Sequence, residues 1–192
     1  GKVADLVAKF ASRKARERWT AADSLAKLGP EAAAAIPDLV KGLQDEDEDV
    51  RCSAARALGH MGEAAASVVP ELAKLLEDAD EDGGVRWGAA EALGNLGKLA
   101  TSAISQLQEA LEDDEENDVQ SAAATALGKL AKAGVSPAPF VPHLIAVLVE
   151  QEWTVRRSAA EALGRCGSEA QTAVPDLSRM ASDDLDPRVK KA

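Results

Sequence analysis

The sequence predicts an all-α protein, a right-handed α-solenoid of stacked antiparallel helix pairs, and three observations carry that reading. The first is a period. Val3, Ile36, Val69, Ile104, Val141 and Val174 each open a segment of the apolar-x-x-Leu type, with Pro second in four of the six, and they are separated by 33, 33, 35, 37 and 33 residues, a fixed repeat that one globular core does not produce. The second is phase: each repeat holds two runs in which apolar residues recur at i, i+3, i+4 and i+7, the stripe of a helix. The third is composition, 46% apolar but only 3% aromatic, an Ala/Leu-rich balance suited to helices. The expected organisation is one repeat domain over residues 1–192, with units at approximately 3–29, 36–62, 69–97, 104–131 and 141–167 and a partial unit at 174–192.

Each element follows from the template of the second unit. Ile36, Leu39, Val40 and Leu43 line one helix face, and Pro37 is tolerated because it sits in the first turn. This is helix A. After the loop Asp45–Asp49, Val50, Ala54, Ala57, Leu58 and Met61 repeat the spacing until Gly62 ends the run. This is helix B. Neither stripe can be buried alone, so the pairs must stack, each buried Leu contributing roughly 1.5–3 kcal/mol. The first unit uses Val3, Leu6, Val7 and Phe10 for helix A and Ala22, Leu25 and Leu28 for helix B. Ser105 replaces the usual Pro after Ile104, residues 133–139 lengthen the link to the fifth pair, and a lone helix A spans Val174 to Met180.

Composition also excludes function classes. The apolar run Phe140–Val149 is broken by Pro142 and His143 and is far shorter than the ~20 residues of a membrane helix. No membrane span and no signal peptide are expected. Cys52 and Cys166 lie in different units, out of disulfide reach in a linear stack, so a soluble protein in a reducing, intracellular compartment is the default expectation, cytoplasm or organelle. Gly1 in place of an initiator Met, and an end at Val189–Ala192 just as another unit begins, suggest a processed chain or a piece of a longer array.

Of the 33 acidic residues, 21 fall in the loops between helix A and helix B, while residues 1–18 carry a local balance of +4, leaving −15 for the rest of the net −11. Nucleic acid is a poor partner for such a surface, because backbone binding needs Lys and Arg against phosphates. A basic protein segment fits the acidic loop edge, and the N-terminal cluster Arg13, Lys14, Arg16 and Arg18 fits an acidic edge of another subunit. The alternative is a solvated ridge that aids solubility. Asp78–Gly83 copies the first half of a calcium loop, but the twelfth position is Ala89 where a bidentate Glu is required. His60 and His143 stand on different helices without a second ligand at metal spacing. Neither metal nor cofactor is expected.

On the helix-B wheel the side opposite the core reads Trp19, Cys52, Trp87, Ser121, Arg157 in one column and Asp23, Arg56, Glu91, Thr125, Glu161 in the next. Large aromatics where solvent is expected mark binding anchors; the alternative is that each indole lies flat on its neighbouring unit. With helices 8–10 Å apart, Trp19 and Trp87 would stand about 20 Å apart on one face. Trp153 reads as a loop residue covering the end of a hairpin. Gly59, Gly94, Gly128 and Gly164 form a further column, and since Gly costs about 1 kcal/mol in a helix, close approach of adjacent B helices is the expected reason.

What recurs most faithfully is Val-Arg-x-x-Ala-Ala-x-Ala-Leu-Gly-x-x-Gly, as in Val50 to Gly62, with Val85 to Gly97 and Val155 to Gly167 matching well and Val119 to Leu130 less well. There is no Tyr and no Thr-Pro-Leu-His, which sets the chain apart from tetratricopeptide and ankyrin arrays. The motif resembles HEAT repeats, specifically the short units of phycobilin-lyase subunits and of many scaffolds. The resemblance implies that helix B lines the concave face and that the Arg early in helix B, here Arg18, Arg51, Arg86 and Arg156 with Gln120 breaking the series, joins a ladder with acids between units. A cation in a helix's first turn opposes the dipole, so acids must lie beside it; Asp47, Asp49, Asp82 and Asp118 are at hand. The His-Glu dipeptides with which the similar deoxyhypusine hydroxylases hold iron do not occur.

The resulting expectation is a non-enzymatic interaction scaffold or structural subunit of a larger complex. It would bind a protein partner through the concave helix-B face at Trp19, Asp23, Cys52, Arg56, Trp87, Glu91 and Arg157. The alternative is a phycobilin-lyase-like subunit whose groove cradles a linear tetrapyrrole, with Cys52 as a bilin-contacting thiol.

Overall fold

The computed structural model describes residues 1–150 and 152–192. Among these residues there is no strand. The helices follow in pairs: α1 (Lys2–Ala8) with α2 (Ala15–Leu28), α3 (Ile36–Gly42) with α4 (Glu48–Gly59), α5 (Val69–Glu77) with α6 (Gly83–Leu96), α7 (Ile104–Asp113) with α8 (Asn117–Lys132), α9 (Val141–Ala146) with α10 (Trp153–Arg165), and α11 (Val174–Asp183) with the short α12 (Pro187–Lys190). Odd-numbered helices form layer A and even-numbered helices layer B. The array is an all-α solenoid whose core lies between the layers, where Leu25, Leu39, Leu58, Leu72, Leu93, Leu107, Leu127 and Leu144 are all fully buried.

Local sequence sets the starts of both kinds of helix. Pro37, Pro70, Pro142 and Pro175 occupy the first turn of A helices, where a missing N–H costs nothing. Several B helices start from an acidic cap: Asp47 accepts from the N–H groups of Asp49 and Val50 at 3.0 and 3.2 Å, Asp82 from Gly84 at 2.8 Å and Asp186 from Arg188 at 2.9 Å. Trp153 is the first residue of α10, not a loop residue as the sequence suggested, because Glu152 caps the helix one position earlier. Its indole packs on the core and carries the Arg188 guanidinium at 3.5 Å.

The junctions between pairs hold an element absent from the sequence reading. Helix α4 stops at Gly59, short of the expected Met61. A 3₁₀ helix then runs over Gly62–Val68, and equivalents span Gly29–Ala35, Gly97–Ala103 and Gly167–Ala173. Each begins at a glycine with φ between 56° and 63°, a left-handed conformation that favours glycine. Three residues per turn puts i and i+3 on one face, and the buried pairs Ala32/Ala35, Ala65/Val68, Ala100/Ala103 and Ala170/Ala173 have that spacing. Between α8 and α9 an irregular link over residues 133–140 replaces it.

Layer B is the tighter layer. Its helices touch along their lengths, whereas A helices touch one another far less. The glycine column explains the approach: a Cβ on Gly59, Gly94 or Gly128 would lie 2.5, 2.8 or 2.9 Å from the Cα of Ala92, Ala126 or Ala162 on the next B helix.

A ladder of arginines clamps the first pair to the second, the second to the third, the third to the fourth and the fifth to the sixth, with Gln120 interrupting it on α8. Arg18 donates from Nε and Nη2 to Asp45 at 2.8 and 2.7 Å, Arg51 to Glu81 at 3.1 and 2.8 Å, Arg86 to Asp114 at 2.8 and 3.1 Å, and Arg156 to Asp184 at 2.7 and 2.9 Å. Each also donates from Nη1 to a backbone carbonyl of its own A–B loop, at Ser12, Asp45, Glu81 and Glu150 respectively. The acids are not those the sequence offered. Asp47 and Asp82 are helix caps, and Asp49 and Asp118 face solvent in first turns. The pairing acids lie one unit further on, beyond what proximity in sequence reveals.

Three measurements test this packing. Gly94→Ala drives a methyl into α8 and should destabilise by about 1–3 kcal/mol, whereas Gly164→Ala, which meets nothing within 4 Å, should stabilise by up to about 1 kcal/mol; melting temperatures moving in the same direction would contradict the close-approach account. For the ladder, the Arg156 guanidinium holds the Asp184 carboxyl below the usual carboxylate range. Burial pushes Asp45 up, but hydrogen bonds from Arg18 and the Asp47 N–H leave it lowered too. Carboxylates lowered by folding contribute stability above their unfolded value and lose it as pH falls through the folded one, so denaturant midpoints should decline below about pH 4. Arg86 and Asp114, with side chains 4% and 7% exposed, form the most buried rung. Arg86→Ala should cost about 3–5 kcal/mol at neutral pH, read from the same midpoints.

Candidate functional site

Residues four apart on a B helix share a face. Cys52 and Arg56 of α4 therefore stand beside Trp87 and Glu91 of α6, across the α4–α6 contact. Arg56 donates from Nε to Glu91 Oε2 at 2.9 Å, and its guanidinium lies 5.2 Å from the Trp87 ring centroid, inside the range of cation–π attraction. Cys52 closes the cluster from below: a Cβ on Gly88 would sit 3.1 Å from the Cys52 sulfur and 3.4 Å from Arg56 Cγ. Four of the seven residues singled out from the sequence thus meet at one place.

The remaining three do not join them closely. Asp23 acts on the Cys52 thiol only through its charge. Trp19 is partly buried on α2 and lines neither of the hollows beside Trp87. Arg157 bonds to Glu161 of its own helix at 2.8 Å and is exposed.

Beyond Trp87 the B face opens into a groove. One hollow of about 380 Å³ lies between α6 and α8, walled by Trp87, Glu91, Asp118, Ser121, Thr125 and Lys129, with Thr154 of α10 at its edge. A second, of about 370 Å³, shares Trp87 and Asp118 and adds Asp82, Gly83, Gly84 and Glu116. Arg56 lines neither, so it occupies the α4 side of the indole and leaves the α8 side to the groove. Ser121 Oγ is buried at the groove without a hydrogen-bond partner among the described residues. Lys129 donates to Asn95 Oδ1 at 2.8 Å.

The sequence placed Ser121 and Thr125 in the right columns, but the wall they form with Asp118 and Lys129 was missed. Its signal is the run 118, 121, 122, 125, 126, 129 along one face of α8. Hollows also lie on the loop edge, about 230 Å³ at Arg86 and Asp114 and about 500 Å³ at Arg51 and Glu81. They are clefts between consecutive loops whose arginines, Arg86 and Arg51, are already paired in the ladder.

Other candidate chemistry is occupied or buried. Among the described residues no group of three or more His, Cys, Asp or Glu side chains is placed to hold a metal ion. In the half calcium loop, Asp78 accepts from Asp80 N–H, Glu81 is held by Arg51 and Asp82 caps α6. His143 Nδ1 lies 2.7 Å from Glu112 Oε1. Arg18, counted in the basic N-terminal cluster, is committed to Asp45. Burial pushes the Cys52 thiol up to about 11, against a partial opposing pull from Arg56. Cys166, 7% exposed in the core position shared with Met61 and Leu96, is likewise raised by burial to about 11. Since the thiolate is the nucleophile, Cys52 should alkylate slowly at pH 7.5 and accelerate steadily as pH rises toward 11. A labelling rate that levels off by pH 8 would show an activated thiol.

No curated protein matches the sequence. Solved structures share the architecture. A chain of the CpcE–CpcF complex of phycocyanin lyase from Nostoc sp. PCC7120 is 24% identical with a TM-score of 0.66, over 82% of this chain and 95% of that one. YibA of Escherichia coli is 20% identical with a TM-score of 0.72, over 97% and 66%. Kap121p bound to Pho4p is 17% identical with a TM-score of 0.73, over 98% of this chain but only 22% of the other. Identities this low establish the fold alone. No helix among the described residues is long and apolar enough to cross a membrane. The HEAT-repeat family matches residues 3–82, 36–128 and 117–192, and the chain belongs to it.

Proposed function

We propose that the protein is a non-enzymatic interaction scaffold that grips a protein segment on its helix-B face, with Trp87 as the anchor and Arg56 and Glu91 holding the indole in place. The observation that carries this reading is the two-sided environment of Trp87, stacked by Arg56 on one side and open to the groove on the other. A large, rigid aromatic held ready in this way gives contact area at low cost in side-chain entropy, the character of an interface hot spot. HEAT repeats are helical scaffolds for protein interaction, and the CpcE–CpcF and Kap121p–Pho4p structures are both complexes with proteins. The neutral, half-buried Cys52 thiol also argues against nucleophilic chemistry at this face.

A second reading, a chromophore-handling subunit like those of phycobilin lyases, draws on the likeness to the CpcE–CpcF structure along nearly that whole chain. It would use the same groove for a linear tetrapyrrole. The two readings separate by experiment. Affinity purification with the intact chain, Trp87→Ala and Trp19→Ala side by side should yield a specific protein that is lost with Trp87→Ala and retained with Trp19→Ala. A visible absorption band after incubation with a linear tetrapyrrole, together with a prey list unchanged by Trp87→Ala, would favour the pigment reading instead.

A further inference from the structure

The charges around the groove are arranged by sign along its length. At the end where α6 and α8 begin stand Asp82, Glu116 and Asp118, around the Trp87 ring. Glu116 and Asp118 form no ion pair among the described residues and face solvent; Asp82 spends one oxygen on the Gly84 N–H. At the other end stands Lys129, tied only to the neutral Asn95 amide. On the α8 side the middle is small and neutral, Ser121, Ala122, Thr125 and Ala126; on the α6 side it holds Glu91, whose carboxylate is paired with Arg56. The positive ends of two helix dipoles also lie at the acidic end, but each amounts to roughly half a charge, and three carboxylates exceed them. From Asp118 to Lys129 the α8 wall rises about 16 Å at 1.5 Å per residue, the reach of about five residues of extended chain.

We infer that this groove takes an extended protein segment bearing a lysine or arginine at one end and a carboxylate about four or five residues along, with small or apolar residues between. The inference rests on the scaffold reading above and names its partner's chemistry. The cationic side chain enters the acidic hollow, where the groove side of the Trp87 ring supplies a cation–π contact and Glu116 and Asp118 supply charge-assisted hydrogen bonds. The carboxylate reaches Lys129. The intervening residues cover the floor formed by Ser121, Ala122, Thr125 and Ala126.

The test uses the whole chain and fluorescein-labelled hexapeptides read by anisotropy. Two carry lysine and aspartate at opposite ends of an alanine and valine stretch, in either order; a third has the same composition with the two charges adjacent. One of the opposite-end peptides should bind at least about fivefold more tightly than the adjacent-charge peptide. Glu116→Gln with Asp118→Asn should remove that preference, and so should Lys129→Gln, both being surface changes that leave the fold intact. Trp87→Phe should weaken binding partially. A control, Glu46→Gln with Glu48→Gln, alters the exposed ridge elsewhere and should leave binding unchanged. Equal binding of all peptides, or equal weakening by the ridge control, would overturn the inference as diffuse attraction to an acidic protein. A natural partner that still depends on Trp87 while no peptide binds would overturn the charge-ordered occupant and leave the scaffold reading standing.

Discussion

Everything in this molecule depends on how closely neighbouring B helices can lie. With a glycine at 59, 94 and 128 facing an alanine of the next helix, backbones meet where any Cβ would collide. That approach brings the inter-layer leucines into one continuous core, and it gathers the outward faces of α4, α6 and α8 into a single wall. Without it, Arg56 would not reach Trp87 from the adjacent unit, and no groove would form between α6 and α8. A solenoid is a chain of nearest-neighbour contacts, so each such interface must be sound for the next to matter.

The arginine ladder solves a problem that the close approach creates. Drawing the B helices together crowds their N-termini, each with a partial positive charge and unsatisfied N–H groups. A guanidinium placed there is unfavourable unless its charge is neutralised and each of its three nitrogens finds an acceptor. Both conditions are met by a bidentate acid from the following unit and a carbonyl from the arginine's own loop. The acid is aimed in turn, since Asp45, Asp114 and Asp184 each accept the N–H of the residue two further on. Part of the acidic edge is therefore structural: the ladder takes Asp45, Glu81, Asp114 and Asp184, and the caps take Asp47, Asp82, Glu152 and Asp186. Glu116 and Asp118 are among the carboxylates left over.

The stacked-helix architecture, the positions of most helices and the close-approach glycines were legible because they arise from periodicity, a property of sequence alone. The 3₁₀ junctions went unread although Ala32/Ala35 and Ala65/Val68 carry the three-residue period in plain view; segments of seven residues are too short for a 3.6-residue stripe to be distinguished from a 3.0-residue one. The ladder's partners were misassigned for another reason. Sequence proximity points Arg51 to Asp47 and Asp49, whereas stacking brings Glu81 from the next loop. Trp19 and Trp87 occupy equivalent columns and look interchangeable in one dimension. Their difference comes from the neighbouring helix, which a column does not record.

That neighbour explains why the groove exists at one place. In the column Trp19, Cys52, Trp87, Ser121, Arg157, the residue on the helix after Trp87 is a serine, the smallest of the five. On the side facing α4, Trp87 meets the long Arg56 side chain, fixed by Glu91, and the space is filled. On the side facing α8 it meets Ser121, Ala122 and Thr125, and a hollow remains. The same helix also lacks the ladder arginine, having Gln120 in its place, and is followed by the irregular link over residues 133–140. Three departures from the repeat template thus coincide on α8. In an array whose stability comes from regularity, a lapse confined to one unit weakens two interfaces at most, and it produces a surface unlike that of any other unit. The groove at Trp87 is distinguished from its counterparts by what the repeat omits there: bulk at 121 and a paired cation at 120, which leave an aromatic wall uncovered beside carboxylates with no cation assigned to them.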